Sequence, residues 1–379
     1  MTTVYIIRHA EAEGNLYRRV QGHFDGKITA RGKRQIEALA ERFKDIHIDA
    51  IYASDLSRTQ ATAGAISKYH DLPINIDPRL KEVGMGIWEN MTWGDVELRW
   101  PDQLAFFSSD PDNWHVEGSE SFRHLEDRML AVVNDLARKH DGQTIALFSH
   151  GMAIRALHCR VMGVPSRDVA SIPHGDNTCV SLYTWDNGIL TPEYRNDNSH
   201  LDDSNSTFAH QTWWKKESGR DKNNLRFAPL DIKKEAGFYA DCYADAWHTI
   251  HGTLAGFDRN AYIINAKRHA CEEGCLVKVI SGSEPIGIVE LDVQRGEREG
   301  YGWISLCYLD KGHRGIGYGA QLIGHAVTIA HENRMNKLRL HVADCNDHAY
   351  GFYRHFGFHQ IDENMGILGI LRTMEKVLP

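Results

Sequence analysis

Three short apolar runs constrain what this chain can fold into more than any other feature. They are Val4 to Ile7, Ile48 to Ala53 and Thr144 to Phe148. Between and after them lie segments with apolar residues at helical spacing. One has Ile36, Leu39, Ala40 and Phe43; another has Ala65, Ile66 and Tyr69; a third has Phe122, Leu125, Met129, Val132, Val133 and Leu136; a fourth has Ile154, Leu157 and Val161. Strand then helix, repeated, predicts an α/β domain of three layers, a mainly parallel sheet covered on both faces. In such sheets ligands bind outside the carboxyl ends of the strands. Arg8 and His9 stand at the first of those ends, Ser54 and Arg58 after the second, and Ser149-His150-Gly151 after the third. A single charged pair ending an apolar strand is an ordinary solvated terminus. Three in succession are a pattern.

The chain of 379 residues is too long for one typical core, and two domains are expected. Asn196 to Asn224 breaks the composition: it is rich in Asp, Asn, Ser and Lys, and has no period. The expected division is a first domain over 1–201, a linker over 202–223 and a second domain over 224–379. Trp213 and Trp214 are out of place in a solvated linker and would pin it to one domain. The second half predicts strands at Leu225 to Leu230, Leu276 to Ile280, Ile286 to Val293, Gly302 to Leu309 and Leu338 to Val342. Helices fall around Phe238 to Trp247, after Asp258 and around Leu322 to Ala330. The hairpin-like spacing around Gly296 makes its sheet mixed and partly antiparallel, an α+β pattern.

A formal charge of -8 argues against nucleic acid as a partner. The mean hydropathy is -0.44 and no window approaches a membrane span, so no membrane partner is expected. A strand beginning at Val4 leaves no room for a targeting segment, and the seven cysteines lack metal-ligand spacing. A reduced, cytoplasmic protein without a metal is the expectation.

Phosphoryl transfer needs an in-line nucleophile, positive charge on the equatorial oxygens and an acid for the leaving group. Arg8, His9, Arg58 and His150 supply the first two, and Glu82 lies in the loop-rich stretch between them. The first half resembles the histidine phosphatase, or phosphoglycerate mutase-like, superfamily. The matching stretches are Arg8-His9-Ala10-Glu11 with Asn15, Gln21-Gly22, Thr29-Ala30-Arg31-Gly32 with Gln35, Ser54-Asp55-Leu56-Ser57-Arg58-Thr59, Lys81-Glu82 with Gly86-Ile87-Trp88-Glu89, and Ser149-His150-Gly151. The resemblance implies that His9 becomes a phosphohistidine and that Arg8, Arg58 and His150 bind the phosphoryl oxygens. It implies that Asn15, Gln21, Gly22 and Gly151 line the pocket, and that Glu82 protonates the leaving oxygen and then activates water, with no cofactor. Burial near an oxyanion is expected to favour the protonated form of Glu82. Two positions depart from the family pattern. Ala10 stands where Gly is usual and is harmless only at negative φ. Asn90 also replaces a Gly and tolerates a left-handed backbone. The compact segment after Glu82 resembles the phosphatase branch; a mutase is the alternative.

A Gly-rich turn follows the strand ending at Leu309: Arg314-Gly315-Ile316-Gly317-Tyr318-Gly319. Backbone N–H groups of such a turn, ahead of a helix, can cradle an anion. With Asn346-Asp347-His348-Ala349-Tyr350-Gly351-Phe352-Tyr353 it resembles the GNAT-type N-acetyltransferases over about 224–379. The resemblance implies acetyl-CoA as cofactor, its pyrophosphate on the amides of Arg314 to Gly319 and its pantetheine along Cys307 to Leu309. Asn346 would contact the cofactor and Tyr353 would protonate the departing thiolate. Glu290 is the one candidate base, though a strand Glu on a solvated face is the expectation. Together the halves imply a bifunctional enzyme acting on a small phosphorylated metabolite and on a small-molecule or peptide amine. The alternative for the second half is a module that senses coenzyme A without transferring acetyl.

Overall fold

A computed structural model describes residues 1–211 and 224–378. The chain forms two compact units whose boundary falls within 212–223, and Trp213 and Trp214 lie outside the described residues.

The first unit runs β1 (Thr2–Arg8), α1 (Glu13–Leu16), α2 (Ala30–Phe43), β2 (Ala50–Ala53), α3 (Ser57–His70), β3 (Ile74–Ile76), α4 (Trp93–Arg99), α5 (Pro101–Ser109), α6 (Phe122–Lys139), β4 (Thr144–Ser149), α7 (Gly151–Met162), β5 (Val180–Asp186) and β6 (Ile189–Asp197). Its sheet has the order β3-β2-β4-β1-β5-β6. The first four strands are parallel, and β5 and β6 are antiparallel to their neighbours.

Strand alternation builds the three layers. Val4, Ile6, Tyr52, Ile145 and Leu147 face one core with Leu125, Met129 and Val132 of α6 and Leu157 of α7. Ile7, Ile51, Ala146 and Phe148 face the other, against Leu39 and Phe43 of α2 and Ala63 and Ile66 of α3. Thr29 caps α2 through the Gly32 amide, and Ser121 caps α6 through that of His124. The register Arg8↔Ser149 and Ala53↔Phe148 brings the three strand ends level at one rim.

Three segments differ from the sequence expectation. The polar stretch after Pro73 contains β3, α4 and α5, tied by an aromatic cluster of Trp88, Trp100, Phe107 and Trp114. The hairpin of β5 and β6 extends the sheet. Residues 202–211, expected as linker, bond to the first unit: Gln35 Nε2 donates to Asn205 O at 2.8 Å, and Ser206 Oγ to Asp176 Oδ2 at 2.7 Å.

The second unit runs β7 (Leu225–Pro229), α8 (Ala236–His251), α9 (Arg259–His269), β8 (Leu276–Ser281), β9 (Glu284–Gly296), β10 (Tyr301–Leu309), α10 (Gly319–Glu332), β11 (Lys337–Ala343), α11 (Asp347–His355), β12 (His359–Met365) and β13 (Ile370–Val377). Its sheet has the order β12-β13-β11-β10-β9-β8-β7 and is antiparallel except for the β10–β11 pair. Asp258 caps α9 as its sequence position suggests. No helix among the described residues is long and apolar enough to cross a membrane.

Candidate functional site

The rim of the first sheet gathers the candidate residues. His9 is buried at 4 % exposure, and its Nδ1 lies 2.7 Å from Ala10 O. A carbonyl only accepts, so Nδ1 carries the proton and Nε2 keeps its lone pair. Burial, reinforced by the charges of Arg58 and Arg8, pushes the imidazole well below its ordinary value and holds it neutral. Its ring centroid lies 5.1 Å from that of His150.

Arg58 is fully buried. Its Nη2 donates to Gly22 O at 2.7 Å, its Nη1 to Phe24 O at 2.8 Å and its Nε to His150 Nδ1 at 3.2 Å. Burial lowers the guanidinium to about 10, still a cation at neutral pH. His150 Nδ1 is therefore an acceptor, and its Nε2–H goes to Ser54 Oγ at 2.9 Å. Both ring nitrogens have protein partners, so in this state His150 fixes Arg58. Arg8 Nη1 donates to Gly175 O at 2.5 Å, while its buried Nε has no protein acceptor. Gly151 stands beside it: a Cβ there would lie 3.3 Å from Arg8 Nε.

Glu82 reaches the start of α7 from its loop. Oε1 accepts from the amides of Val83 and Ala153, both at 2.9 Å, and Oε2 from that of Met152 at 3.0 Å. No side chain of α7 caps its own N-terminus, so Glu82 does this from outside the helix. Two donors occupy Oε1. Oε2 has one, so it is the less occupied oxygen.

Asn15 Oδ1 accepts from the Ala12 amide at 3.0 Å and from Asn177 Nδ2 at 3.4 Å. Gln21 Oε1 accepts from the Gly14 amide at 2.7 Å, leaving its buried Nε2 without a protein acceptor. Gly22 spends its carbonyl on Arg58 and its amide on Glu89, so it acts through its backbone. Arg8 Nε and Gln21 Nε2 are buried donors without a protein acceptor, the kind of group an anion can satisfy.

Sequence reasoning missed several supports. Glu89 accepts from the amides of Gly22, His23, Phe24 and Met85 and so fixes the loop that Arg58 grips. Asn177 Nδ2 donates to His9 O at 3.0 Å, and Thr62 Oγ1 accepts from the Ala10 amide at 2.9 Å. Thr178 adopts φ 58, a left-handed backbone rare for a β-branched residue, beside His9 O. Ala10 is not among the positive-φ residues, whereas Asn90 has φ 60, the conformation its amide side chain tolerates.

The second unit presents a different site. β10 pairs with β11 only over Tyr301 to Trp303, and from Ile304 onward it pairs with β9 alone. That leaves an open strand edge along Cys307 to Leu309, which an extended ligand can pair with. The turn that follows is held by Arg314, whose Nε donates to Leu309 O at 2.7 Å and whose Nη2 donates to Asp245 Oδ2 at 3.3 Å. Gly315 and Gly317 have φ of 77° and 92°, a backbone that requires glycine; Ile316 between them is exposed. Tyr318 is buried and precedes α10, which has no side-chain cap. Gly319 is needed for packing: a Cβ would lie 2.5 Å from Phe352 of α11.

Burial, reinforced by the neighbouring Cys307, holds the Tyr353 phenol well above its ordinary value. Burial also pushes Cys307 up to about 12. Both keep their protons at neutral pH. Asn346 Oδ1 caps α11 through the Ala349 amide at 3.1 Å, an occupation the sequence did not assign to it.

Glu290 corrects the expectation of a solvated face. It is fully buried, with Tyr239 and Tyr243 hydroxyls donating to it and His269 Nδ1 at 2.7 Å. His269 Nε2 lies 3.1 Å from Asp292. Helices α8 and α9 cover this side of β9, so the polar side chain is enclosed. Among the described residues no group of three or more His, Cys, Asp or Glu could hold a metal.

The first unit's sheet order and the pocket at its rim define a phosphoglycerate mutase-like α/β domain. The chain belongs to the histidine phosphatase superfamily (branch 1), whose sequence model matches residues 4–198; that of the acetyltransferase (GNAT) family matches residues 237–358. Similar curated proteins include Phosphoserine phosphatase 1 of Hydrogenobacter thermophilus, 31% identical over 164 residues, or 43% of this chain and 78% of that protein. A probable phosphoglycerate mutase GpmB of Cronobacter sakazakii is 37% identical over 169 residues, 44% of this chain and 77% of that protein. Among solved structures, Bacillus stearothermophilus YhfR aligns with a TM-score of 0.52 and 28% identity, covering 53% of this chain and 100% of that one.

Proposed function

We propose that the first unit hydrolyses phosphomonoesters through a phosphohistidine at His9 and that the second transfers acetyl from acetyl-CoA to an amine. The observation that carries the first half is the neutral His9, its Nδ1–H spent on Ala10 O and its Nε2 lone pair directed away from that bond. Nε2 attacks phosphorus; the N–P bond forms as the ester O–P bond breaks. The leaving oxygen takes the proton held at Glu82 Oε2. The resulting carboxylate then takes a proton from water, whose oxygen attacks phosphorus, releasing phosphate and neutral His9. Arg8 and Arg58 balance the charge on the equatorial oxygens, and His150, accepting from Arg58 Nε, keeps that guanidinium in place.

A mutase cycle uses the same residues but returns the phosphoryl group to a second hydroxyl. The likeness to a probable phosphoglycerate mutase supports that second reading. The two differ in product: inorganic phosphate from a hydrolase, an isomeric ester from a mutase. In Glu82→Gln, hydrolysis of an alkyl phosphate, whose leaving group needs a proton, is expected to fall by about 10²- to 10⁴-fold. Full turnover by that variant would remove Glu82 from the acid role.

For the second half, the open edge of β10 and the Gly-rich turn ahead of α10 fit an extended thioester cofactor with a pyrophosphate. When bound, acetyl-CoA supplies an activated acyl group. Tyr353, which keeps its proton at neutral pH, would give it to the departing sulfur. Tyr353→Phe is expected to lower thiol release by about 10²-fold with coenzyme A affinity nearly unchanged. An undiminished rate would reassign Tyr353 to packing, and coenzyme A binding without thiol release by the native chain, across a panel of amines, would leave a sensor. A small phosphorylated amine is the substrate class that would suit both units.

A further inference from the structure

Glu82 is held from two sides. Its side chain goes to α7, and its backbone carbonyl goes the other way, to Arg128 of α6 and to His23. Residues 81–84 lie in no helix or strand, so the aim of the Glu82 carboxyl depends on the anchors around them.

Arg128 spends all five of its N–H groups there. Nη1 donates to Arg79 O at 2.8 Å and to Lys81 O at 2.7 Å, and Nη2 donates to Glu82 O at 2.9 Å. Nε and Nη2 also form a two-point pair with Glu120, at 2.7 Å each. Glu120 in turn brackets the far end of the loop, its amide donating to Gly84 O at 2.9 Å and its Oε2 accepting from the Gly84 amide at 3.4 Å. His23 Nε2 adds a second bond to Glu82 O at 3.0 Å. The pair is little exposed, 13% for Arg128 and 12% for Glu120, so its geometry is not averaged away by solvent.

We propose that Arg128, oriented by Glu120, is a positioning residue that aims Glu82 at the leaving group. It rests on the reading of Glu82 as the acid. A planar guanidinium can grip three carbonyls and one carboxylate at once; an ammonium with three donors cannot. A displacement of about 1 Å at a catalytic group costs about 10²-fold in rate, and Arg128 does this work without touching the substrate.

The test is the dependence on the leaving group. A nitrophenolate leaves without help, whereas an alkoxide needs a proton. Glu82 also activates water in the second step, which is common to both esters, so the comparison is made on the first turnover, the phosphorylation of His9. The full-length Arg128→Ala protein is expected to release p-nitrophenolate from p-nitrophenyl phosphate within about threefold of native and glycerol from β-glycerophosphate about 10- to 100-fold more slowly. Arg128 and Glu120 line a cleft of about 540 Å³ together with His23, Lys81 and His124. Free guanidinium can enter it, and is expected to restore much of the β-glycerophosphate rate in Arg128→Ala but none in Glu82→Gln. Arg128→Lys, which keeps the charge but not the fork, is expected to show the same selective loss, and serves if the alanine variant does not fold. Equal loss on both esters, or no loss on either, would overturn the proposal and leave Arg128 a structural residue. If Glu82→Gln itself hydrolyses β-glycerophosphate at the native rate, it is the acid reading that has failed.

Discussion

His9→Ala is expected to lose hydrolysis of every phosphomonoester by at least about 10⁴-fold. The proposed nucleophile is a neutral imidazole presenting one nitrogen. Among the described residues His150 is the only other imidazole in ring contact with His9, and both of its nitrogens are engaged, by Arg58 and Ser54. The anion cradle does not depend on the His9 side chain, because Arg8 and Gln21 are placed by Gly175 and Gly14. Binding of orthovanadate or inorganic phosphate is therefore expected to survive in His9→Ala while turnover disappears. Calorimetric titration alongside a phosphate-release assay reads both quantities. A variant that keeps more than about a hundredth of the native rate on an alkyl phosphate would require another nucleophile.

The first unit is expected to lose stability as the pH falls below about 6.5, well before its carboxylates protonate. Every histidine with a resolved shift in that unit moves downward: His9, His150 and His174 well below the ordinary value, His158 to about 3 and His200 to about 4. Burial is the leading cause in each. These imidazoles stay neutral in the fold but protonate in the unfolded chain below 6.5. The unfolded state then binds more protons, so acid favours it. Their contribution is fully present above 6.5 and shrinks by up to about 1.4 kcal/mol per pH unit per site until the folded value is reached. Between pH 7.5 and 5.5 the loss should amount to several kcal/mol, read by urea unfolding with peptide-resolved hydrogen exchange over residues 1–211. Equal stability at the two values would mean that these rings are hydrated and protonated in the fold.

What the sequence discloses and what it hides divide along physical lines. Strands β1, β2 and β4 are legible because both faces are buried, which makes short unbroken apolar runs. Helices α2 and α6 are legible from period and caps. β12, His359 to Met365, is exposed throughout and has no apolar alternation to detect. β6 lies at the sheet edge and carries Pro192, which argues against a strand in any but an edge position. The catalytic types at the rim could be named from their strand ends, but their supports could not. Arg128 reads as one more charge on an amphipathic helix, and only the folded loop of residues 79–84 gives it a task. Glu290 is the mirror case: its partners Tyr239, Tyr243 and His269 lie 21 to 51 residues away, so a period-2 pattern assigns it to solvent. Asn90 was legible because its left-handed backbone depends on one residue alone.

The most direct measurement is to trap the enzyme by rapid acid-free quench after mixing with an alkyl phosphate, then map the modified residue. The expected result is one acid-labile, base-stable phosphoryl group on His9, attached at Nε2, because Nδ1 is committed to Ala10 O. It should form in Glu82→Gln more slowly and not at all in His9→Ala. Phosphate found at Nδ1, on another residue, or released with no modified intermediate at any time point would contradict the account.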